Sequence, residues 1–310
     1  MEFSNKAREL IRDQKNEWDL ALKNYESLKK VKVKSFDFGH YNIDIQFNPE
    51  RIVSSAAKVD TKSIEARPCF LCQKNLPPQQ RQLLFDDEYI VLVNPFPIFN
   101  EHLTIPTIIH TDQQIIGSFG SMLDLAERLN DFVIFYNGPK CGASAPDHLH
   151  FQAGNKGFLP IEKDYADGKC CQMVRQIGNV YLSHWPDYQR GIFTLKSNNK
   201  EELINCFNQI YSCLQNIASD ETEPMLNILT TFEQGKWVIH IFPRTLHRPS
   251  QYFETGAKQL ILSPAAVDMG GVFITPREED FIKISPDIVK NIFKQVCLNT
   301  ETVLTIINQL

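Results

Sequence analysis

Two histidines two residues apart, followed at the same spacing by a glutamine, give the chain its first chemical signal: Asp147-His148-Leu149-His150-Phe151-Gln152. Leu149 and Phe151 alternate with the polar residues. The spacing therefore predicts a strand with His148, His150 and Gln152 on one face and the two apolar side chains towards the core. Upstream, Phe135-Tyr136-Asn137-Gly138-Pro139-Lys140-Cys141-Gly142-Ala143-Ser144 is an apolar run ending in a glycine-punctuated loop. Such a loop can turn backbone N–H groups and the Ser144 hydroxyl towards an anion. Neutral imidazole, with a reference pKa of about 6.5, is an apt nucleophile for phosphorus at pH 7. A phosphorylated imidazole is labile, so one hard displacement becomes two easier ones. Gln152 cannot trade protons, but its NH₂ group can donate to a phosphoryl oxygen. A third histidine there would have helped water attack; its replacement favours transfer to another acceptor. A bare His-x-His is more often structural, and the loop and the glutamine turn the balance. His150 is then the candidate nucleophile, with Gln152 and Ser144 beside it and Asn137, Gly138, Lys140 and Gly142 around the phosphate.

A second constellation is Cys69-Phe70-Leu71-Cys72, set in a Pro/Asn/Gln-rich stretch. Cys-x-x-Cys brings two thiolates within reach of one ion, half of a tetrahedral zinc site. A redox dithiol prefers a strand–helix setting, and two unliganded buried cysteines are the plain alternative.

Gly142-x-Ser144 followed by His148-x-His150-x-Gln152 resembles the transferase branch of the histidine-triad superfamily. That branch includes galactose-1-phosphate uridylyltransferase, diadenosine tetraphosphate (Ap4A) phosphorylase and the GDP-hexose (GDP-L-galactose/GDP-D-glucose) phosphorylases, which the wording matches best. Phe47-Asn48-Pro49, the stretch Asn94 to Pro106, Ser263-Pro264-Ala265 and Met269-Gly270-Gly271 carry the resemblance over much of the chain. It implies a nucleotidyltransferase or phosphorylase acting on a nucleoside diphosphate sugar through a nucleotidyl-His150 intermediate. Ap4A phosphorylase and hexose-1-phosphate uridylyltransferase activities are the enzymatic alternatives, and a non-catalytic zinc-braced nucleotide-binding protein is the third reading. Partners are then a small nucleotide sugar and phosphate or a sugar phosphate, with a homodimer admitted. The resemblance also implies a structural Zn²⁺ held by Cys69, Cys72, His148 and His110, with His102 nearby as an alternative to His110. It places Arg51 and Asn94 near the nucleotide, although solvent exposure explains the first as well and turn chemistry the second. Arg244, with His247 and Arg248 close by in sequence, is a candidate for the phosphate or the sugar, or belongs to a solvated loop.

The elements that must position these groups follow from periodicity. The chain has 310 residues, 43% hydrophobic and 22% charged, with a net charge of −5. That balance is ordinary for a globular protein and argues against a general nucleic-acid surface. With no run of about 20 apolar residues, no secretory h-region and scattered cysteines, a cytoplasmic, membrane-free chain is expected. Helices are expected over Ser4–Lys30, capped by Ser4, and over 112–130, 200–217 and 286–310. Strands are expected as a pair within 35–59 and over 89–93, 102–106, 192–195, 227–232 and 237–243. The sum is an α+β fold of antiparallel sheets with packed helices in two tandem halves, 1–165 catalytic and 166–310 degenerate. In the second half Val238, His240 and Phe242 would stand where His148, His150 and Gln152 stand in the first.

Overall fold

A computed structural model describes residues 2–52, 60–218 and 221–310. Its main body is one ten-stranded antiparallel sheet in the order β3-β4-β5-β7-β6-β11-β12-β10-β9-β8. The strands are β3 Gln82–Phe85, β4 Tyr89–Val93, β5 His102–Pro106, β6 Phe132–Asn137, β7 His150–Asn155, β8 Gln172–Ile177, β9 Val180–His184, β10 Phe193–Ser197, β11 Leu226–Glu233 and β12 Lys236–Pro243. A smaller sheet joins β1 Lys32–Asp37, β2 Asn42–Phe47 and β13 Val272–Thr275 in the order β1-β2-β13. Central strands such as Tyr89-Ile90-Val91-Leu92-Val93 are buried along their whole length, as a strand covered on both faces must be.

The order repeats. Two strands, a helix and two strands run β4-β5, Phe119–Arg128, β6-β7 in the first half and β9-β10, Lys200–Ile217, β11-β12 in the second. Their spatial orders are 4-5-7-6 and 9-10-12-11, and the halves join through the β6–β11 pair. The two helices lie on one face of the sheet and stack Phe119 on Phe207 with ring centroids 4.0 Å apart. The small sheet, the turn of helix Ala266–Met269 and the helix Pro286–Val296 pack on the other face. One rung of cross-strand partners crosses six central strands: Thr104, Gln152, Phe135, Leu229, His240, Thr194. Counted outwards from the Phe135–Leu229 pair, His240 stands opposite Gln152, two residues away from the expected match with His150.

Several expected boundaries move. The first helix breaks at Trp18 into Glu2–Glu17 and Asp19–Leu28 because Trp18 is extended, with φ −120 and ψ 103. Ser4 lies inside that helix and donates to the Arg128 carbonyl, so it is not the cap. The helix expected over 112–130 is only Phe119–Arg128, and the one over 286–310 divides at Cys297–Asn299 into Pro286–Val296 and Thr300–Gln309. The strand pair placed within 35–59 is β1 and β2; positions 53–59 lie outside the described residues. The histidine strand starts at His150, leaving His148 just before it.

Candidate active site

His150 opens β7 on the sheet face away from the helices Phe119–Arg128 and Lys200–Ile217. Its ring Nδ1 donates to the His148 carbonyl at 2.8 Å. That bond places the proton on Nδ1 and leaves the Nε2 lone pair free. Burial pulls the imidazole down to about 4, so it is neutral at pH 7. The backbone around it is held by Gln113, a fully buried side chain. The His150 N–H donates to Gln113 Oε1 at 2.8 Å, while Gln113 Nε2 donates to the carbonyls of Asn137 and His150 at 2.8 and 3.2 Å. Gln113 thus continues the β6–β7 ladder where strand pairing stops.

A cavity of about 700 Å³ lies in front of His150. Gln152, Ser144, Asn137, Gly142, Arg51 and Asn94 all line it. Gly142 has φ +93, and a Cβ there would stand 2.5 Å from Ala265 Cβ, so only glycine fits this approach. Among the described residues the backbone N–H groups of Gly142, Ala143 and Ser144 take no protein hydrogen bond. Asn137 fastens the loop from behind: its Oδ1 accepts from Ala266 N–H at 2.8 Å and from Asn227 Nδ2 at 2.9 Å. Asn94 turns the chain after β4, accepting from Phe96 N–H at 2.9 Å and donating to Thr104 Oγ1 at 3.0 Å. Arg51 donates through Nη1 to the Phe96 carbonyl at 2.7 Å, and its Nε is buried with no partner. Burial lowers its guanidinium to about 10, offset in part by Asp268.

Behind the loop Cys69, Cys72, His110 and His148 bring their ligand atoms within 4.8 Å of one another. Cys69 Sγ lies 3.3 Å from His148 Nδ1, and Cys72 Sγ lies 3.2 Å from His110 Nδ1. Tetrahedral zinc, with Zn–S near 2.3 Å and Zn–N near 2.0 Å, would set such S···N pairs ~3.6 Å apart. His148 Nε2 donates to the Thr107 carbonyl at 2.8 Å, which leaves Nδ1 for an ion. The donor set fits a metal ion. His102 is excluded from it, since both its ring nitrogens are committed elsewhere.

The first part of the chain, residues 10–155, matches the family model "Domain of unknown function (DUF4922)". Residues 165–309 match "GDPGP1-like, C-terminal domain". Yeast Ap4A phosphorylase Apa2 in complex with AMP aligns over 93% of this chain and 95% of its own, with a TM-score of 0.61 and 18% identity. Residues 165–309 are thus GDPGP1-like, and the chain as a whole shares the fold of yeast Ap4A phosphorylase. The same yeast enzyme in complex with Ap4A aligns over 91% of this chain and 97% of its own, at a TM-score of 0.58 and 18% identity. A GalT-like protein of Arabidopsis thaliana covers 84% of this chain and 99% of its own at a TM-score of 0.38 and 11% identity. No curated protein sequence matches.

Three expected substrate contacts lie away from this cavity. Gly138 packs on β11, its N–H donating to the Leu226 carbonyl at 3.1 Å. Lys140 is exposed and paired with Glu221 at 2.6 Å. Arg244 corrects the expectation most plainly. It is 5% exposed, and its five N–H groups go to Val296, Asn227, Pro264, Leu246 and His247 acceptors. No donor is left for a substrate; the guanidinium clamps the Pro264 segment against Gly142 instead.

The cavity also holds groups that pattern reading passed over. Arg67 lines it, donating to Asp147 Oδ1 at 3.1 Å, with Nη1 buried and unpartnered. Its place two residues before Cys69 was the available signal. Asp268 lines it too, accepting from Ala265 N–H at 2.9 Å and Ile274 N–H at 3.3 Å; burial pushes its carboxyl up to about 7. Its position three residues after Ala265, as a helix N3 acid, was legible only as a cap. No helix among the described residues is long and apolar enough to cross a membrane.

Proposed function

We propose that the chain is a phosphorylase of nucleoside diphosphate sugars, GDP-hexoses first, working through nucleotidyl-His150. His150 Nε2 attacks the α-phosphorus, forming an N–P bond while the bond to the bridging oxygen breaks and hexose 1-phosphate leaves. That leaving group is already an anion and needs no general acid. An oxygen of inorganic phosphate, or of a sugar phosphate, then attacks the same phosphorus, and the N–P bond breaks to return free imidazole. Gln152 NH₂, the Ser144 hydroxyl and the N–H groups near Gly142 hold the charge on the non-bridging oxygens. Arg51 and Arg67 are the cations within reach of the diphosphate, and Trp18, Phe70 and Phe96 offer apolar wall for the base. Positioning matters more than proton transfer in such a step.

The single observation that carries the reading is the His150 tautomer, with Nδ1–H tied to the His148 carbonyl and Nε2 bare beside the cavity. In the same proposal Cys69, Cys72, His110 and His148 hold a structural Zn²⁺ that fixes the backbone of His148, and hence that carbonyl. Residues 1–165 form the catalytic half and 166–310 the degenerate one. The eight cysteines, all free, fit a reducing cytoplasm, and a homodimer is compatible with the reading.

Incubation with α-labelled GDP-glucose, UDP-glucose or Ap4A, each with phosphate, tests it. GDP release from GDP-glucose and an acid-labile, base-stable label on the protein are expected. An Ap4A preference would favour the second reading, which the fold likeness to yeast Ap4A phosphorylase supports. No label from any donor would leave a zinc-braced binding protein.

A further inference from the structure

His102 lies at the start of β5, fully buried, with its ring edge-on to Phe99. Its backbone is clamped by Tyr25, whose hydroxyl accepts from the His102 N–H at 3.3 Å and donates to its carbonyl at 3.2 Å. The ring is held as firmly. Ile98 N–H donates to Nδ1 at 3.1 Å, and a backbone N–H can only donate. Nδ1 must therefore carry the lone pair and Nε2 the proton. Nε2 stands 3.0 Å from Gln152 Oε1.

The consequence falls on Gln152. A carboxamide has one acceptor atom and one donor group, and a ring N–H opposite it selects the acceptor. Rotating the amide by half a turn would set NH₂ against N–H, leaving two buried donors unpaired. We infer that His102 is a positioning residue: its Nε2–H holds the Gln152 carboxamide oxygen and so turns the Gln152 NH₂ group towards the phosphoryl group that His150 attacks. The inference rests on the transferase reading and deepens it, because it says what makes the glutamine a donor only. A ring proton on both nitrogens would set Nδ1–H against Ile98 N–H. Burial, with the charge of Arg51 adding to it, brings the imidazole down to about 3, so the arrangement is stable across the working pH range.

The experiment uses the full chain and whichever of GDP-glucose, UDP-glucose or Ap4A labels the wild type. His102→Leu removes the donor; His102→Gln keeps an N–H near the former Nε2. With H102L the rate of nucleotidyl-enzyme formation at saturating donor should fall by about 10- to 100-fold, less than or equal to the loss of an oxyanion donor, with KM little changed. H102Q should recover most of the rate. In a Q152A background H102L should cost less than about twofold further, since the group it orients is gone. An undiminished loss in that background, or full activity of H102L, would overturn the inference. Long-range ¹H–¹⁵N spectra of the wild type supply a test that needs no turnover and no variant. They should assign the His102 proton to Nε2, and a proton on Nδ1 would refute the bond. If no donor labels the wild type, the transferase reading fails while the spectrum still decides the His102–Gln152 geometry.

Discussion

Gln152 and His240 occupy matching rungs of one sheet and meet opposite fates. Gln152 receives an N–H from His102 and borders an open cavity. His240 is 6% exposed, and its Nδ1 lies 2.9 Å from Thr194 Oγ1, which in turn accepts from Trp185 Nε1–H at 2.7 Å. Tyr165 and Trp185 close over it edge-on, with ring centroids 5.2 and 5.6 Å away. Backbone order and register are shared; the difference is what covers the face. Glycine and small side chains (Gly142, Ser144, Ala265) leave room above β7, while Trp185, Tyr188 and Tyr165 fill the space above β12. A polar side chain on a sheet becomes a reagent only where the opposite layer stands back from it.

The sharpest way to break this contrast is to remove the imidazole from each half in turn. His150→Gly should lower turnover by about 10⁴-fold or more, as loss of a nucleophile does, with the fold retained by circular dichroism. His240→Asn should keep turnover within severalfold and lower the urea midpoint instead. The Asn amide oxygen can still accept from the Thr194 hydroxyl, so the loss, about 1–3 kcal/mol, comes from the imidazole packing against Tyr165 and Trp185. Abolished transfer in a folded H240N protein would show that the second half takes part in the chemistry.

The next largest effect concerns the Cys/His cluster, which has no counterpart in the second half among the described residues. The purified chain should carry one zinc, measured by elemental analysis, and Cys69→Ser with Cys72→Ser should lose it. His148 would then be free to move, and with it the carbonyl that fixes the His150 tautomer. Transfer should fall by about 10- to 100-fold, the range seen when an orienting partner of a site is lost, together with a lower melting temperature. A metal-free variant of unchanged rate would separate the cluster from the catalytic strand.

How much of this was readable beforehand differs between the halves for physical reasons. Strands buried on both faces, such as β4, β6, β11 and β12, announce themselves as apolar runs. The hairpin of β8 with β9 does not: β8 is exposed along nearly its whole length, and a strand without a buried face has no alternation to detect. His150, Gln152, Ser144 and Gly142 were legible because residue type, spacing and the glycine loop agreed. Arg244 misled because a sequence cannot reveal that all five donors of a guanidinium are already taken. Gln113 was hidden inside an expected helix that starts later, at Phe119. Trp18 read as one more apolar helix position, yet the break there puts its indole on the cavity wall.

Two glycines sharpen the comparison at lower cost. Gly142 in the first half and Gly235 in the β11–β12 turn both have positive φ, +93 and +73. A Cβ at Gly235 would meet nothing within 4 Å, whereas one at Gly142 would meet Ala265 Cβ at 2.5 Å. Gly235→Ala should therefore cost only the backbone term, about 1 kcal/mol, and leave transfer unaffected. Gly142→Ala should cost about 1–3 kcal/mol more through overpacking and slow transfer as the loop shifts. Equal effects of the two substitutions would mean that the loop yields without disturbing the site.

The smallest expected effect lies at the seam between the halves. Glu223, just before β11, accepts from Tyr136 OH on β6 and from Ile115 N–H, each at 2.6 Å. Burial raises its carboxyl from 4.5 to about 7, against the lowering effect of those two bonds. A raised carboxylate reverses the usual trend for an acid. Below about pH 4.5 both folded and unfolded chains hold the proton, and the group has no effect on the balance. Between that pH and about 7 the unfolded chain has released the proton while the folded chain keeps it, so stability falls as pH rises. The limiting slope is about 1.4 kcal/mol per pH unit for one proton. Glu223→Gln cannot titrate, and its amide can still accept from Ile115 N–H. Urea unfolding of E223Q between pH 5 and 7 should therefore show a pH slope more positive than that of the wild type by up to that amount. An unchanged slope would mean that Glu223 is ionised in the folded chain, with Tyr136 and Ile115 holding a charge at the junction of the two halves.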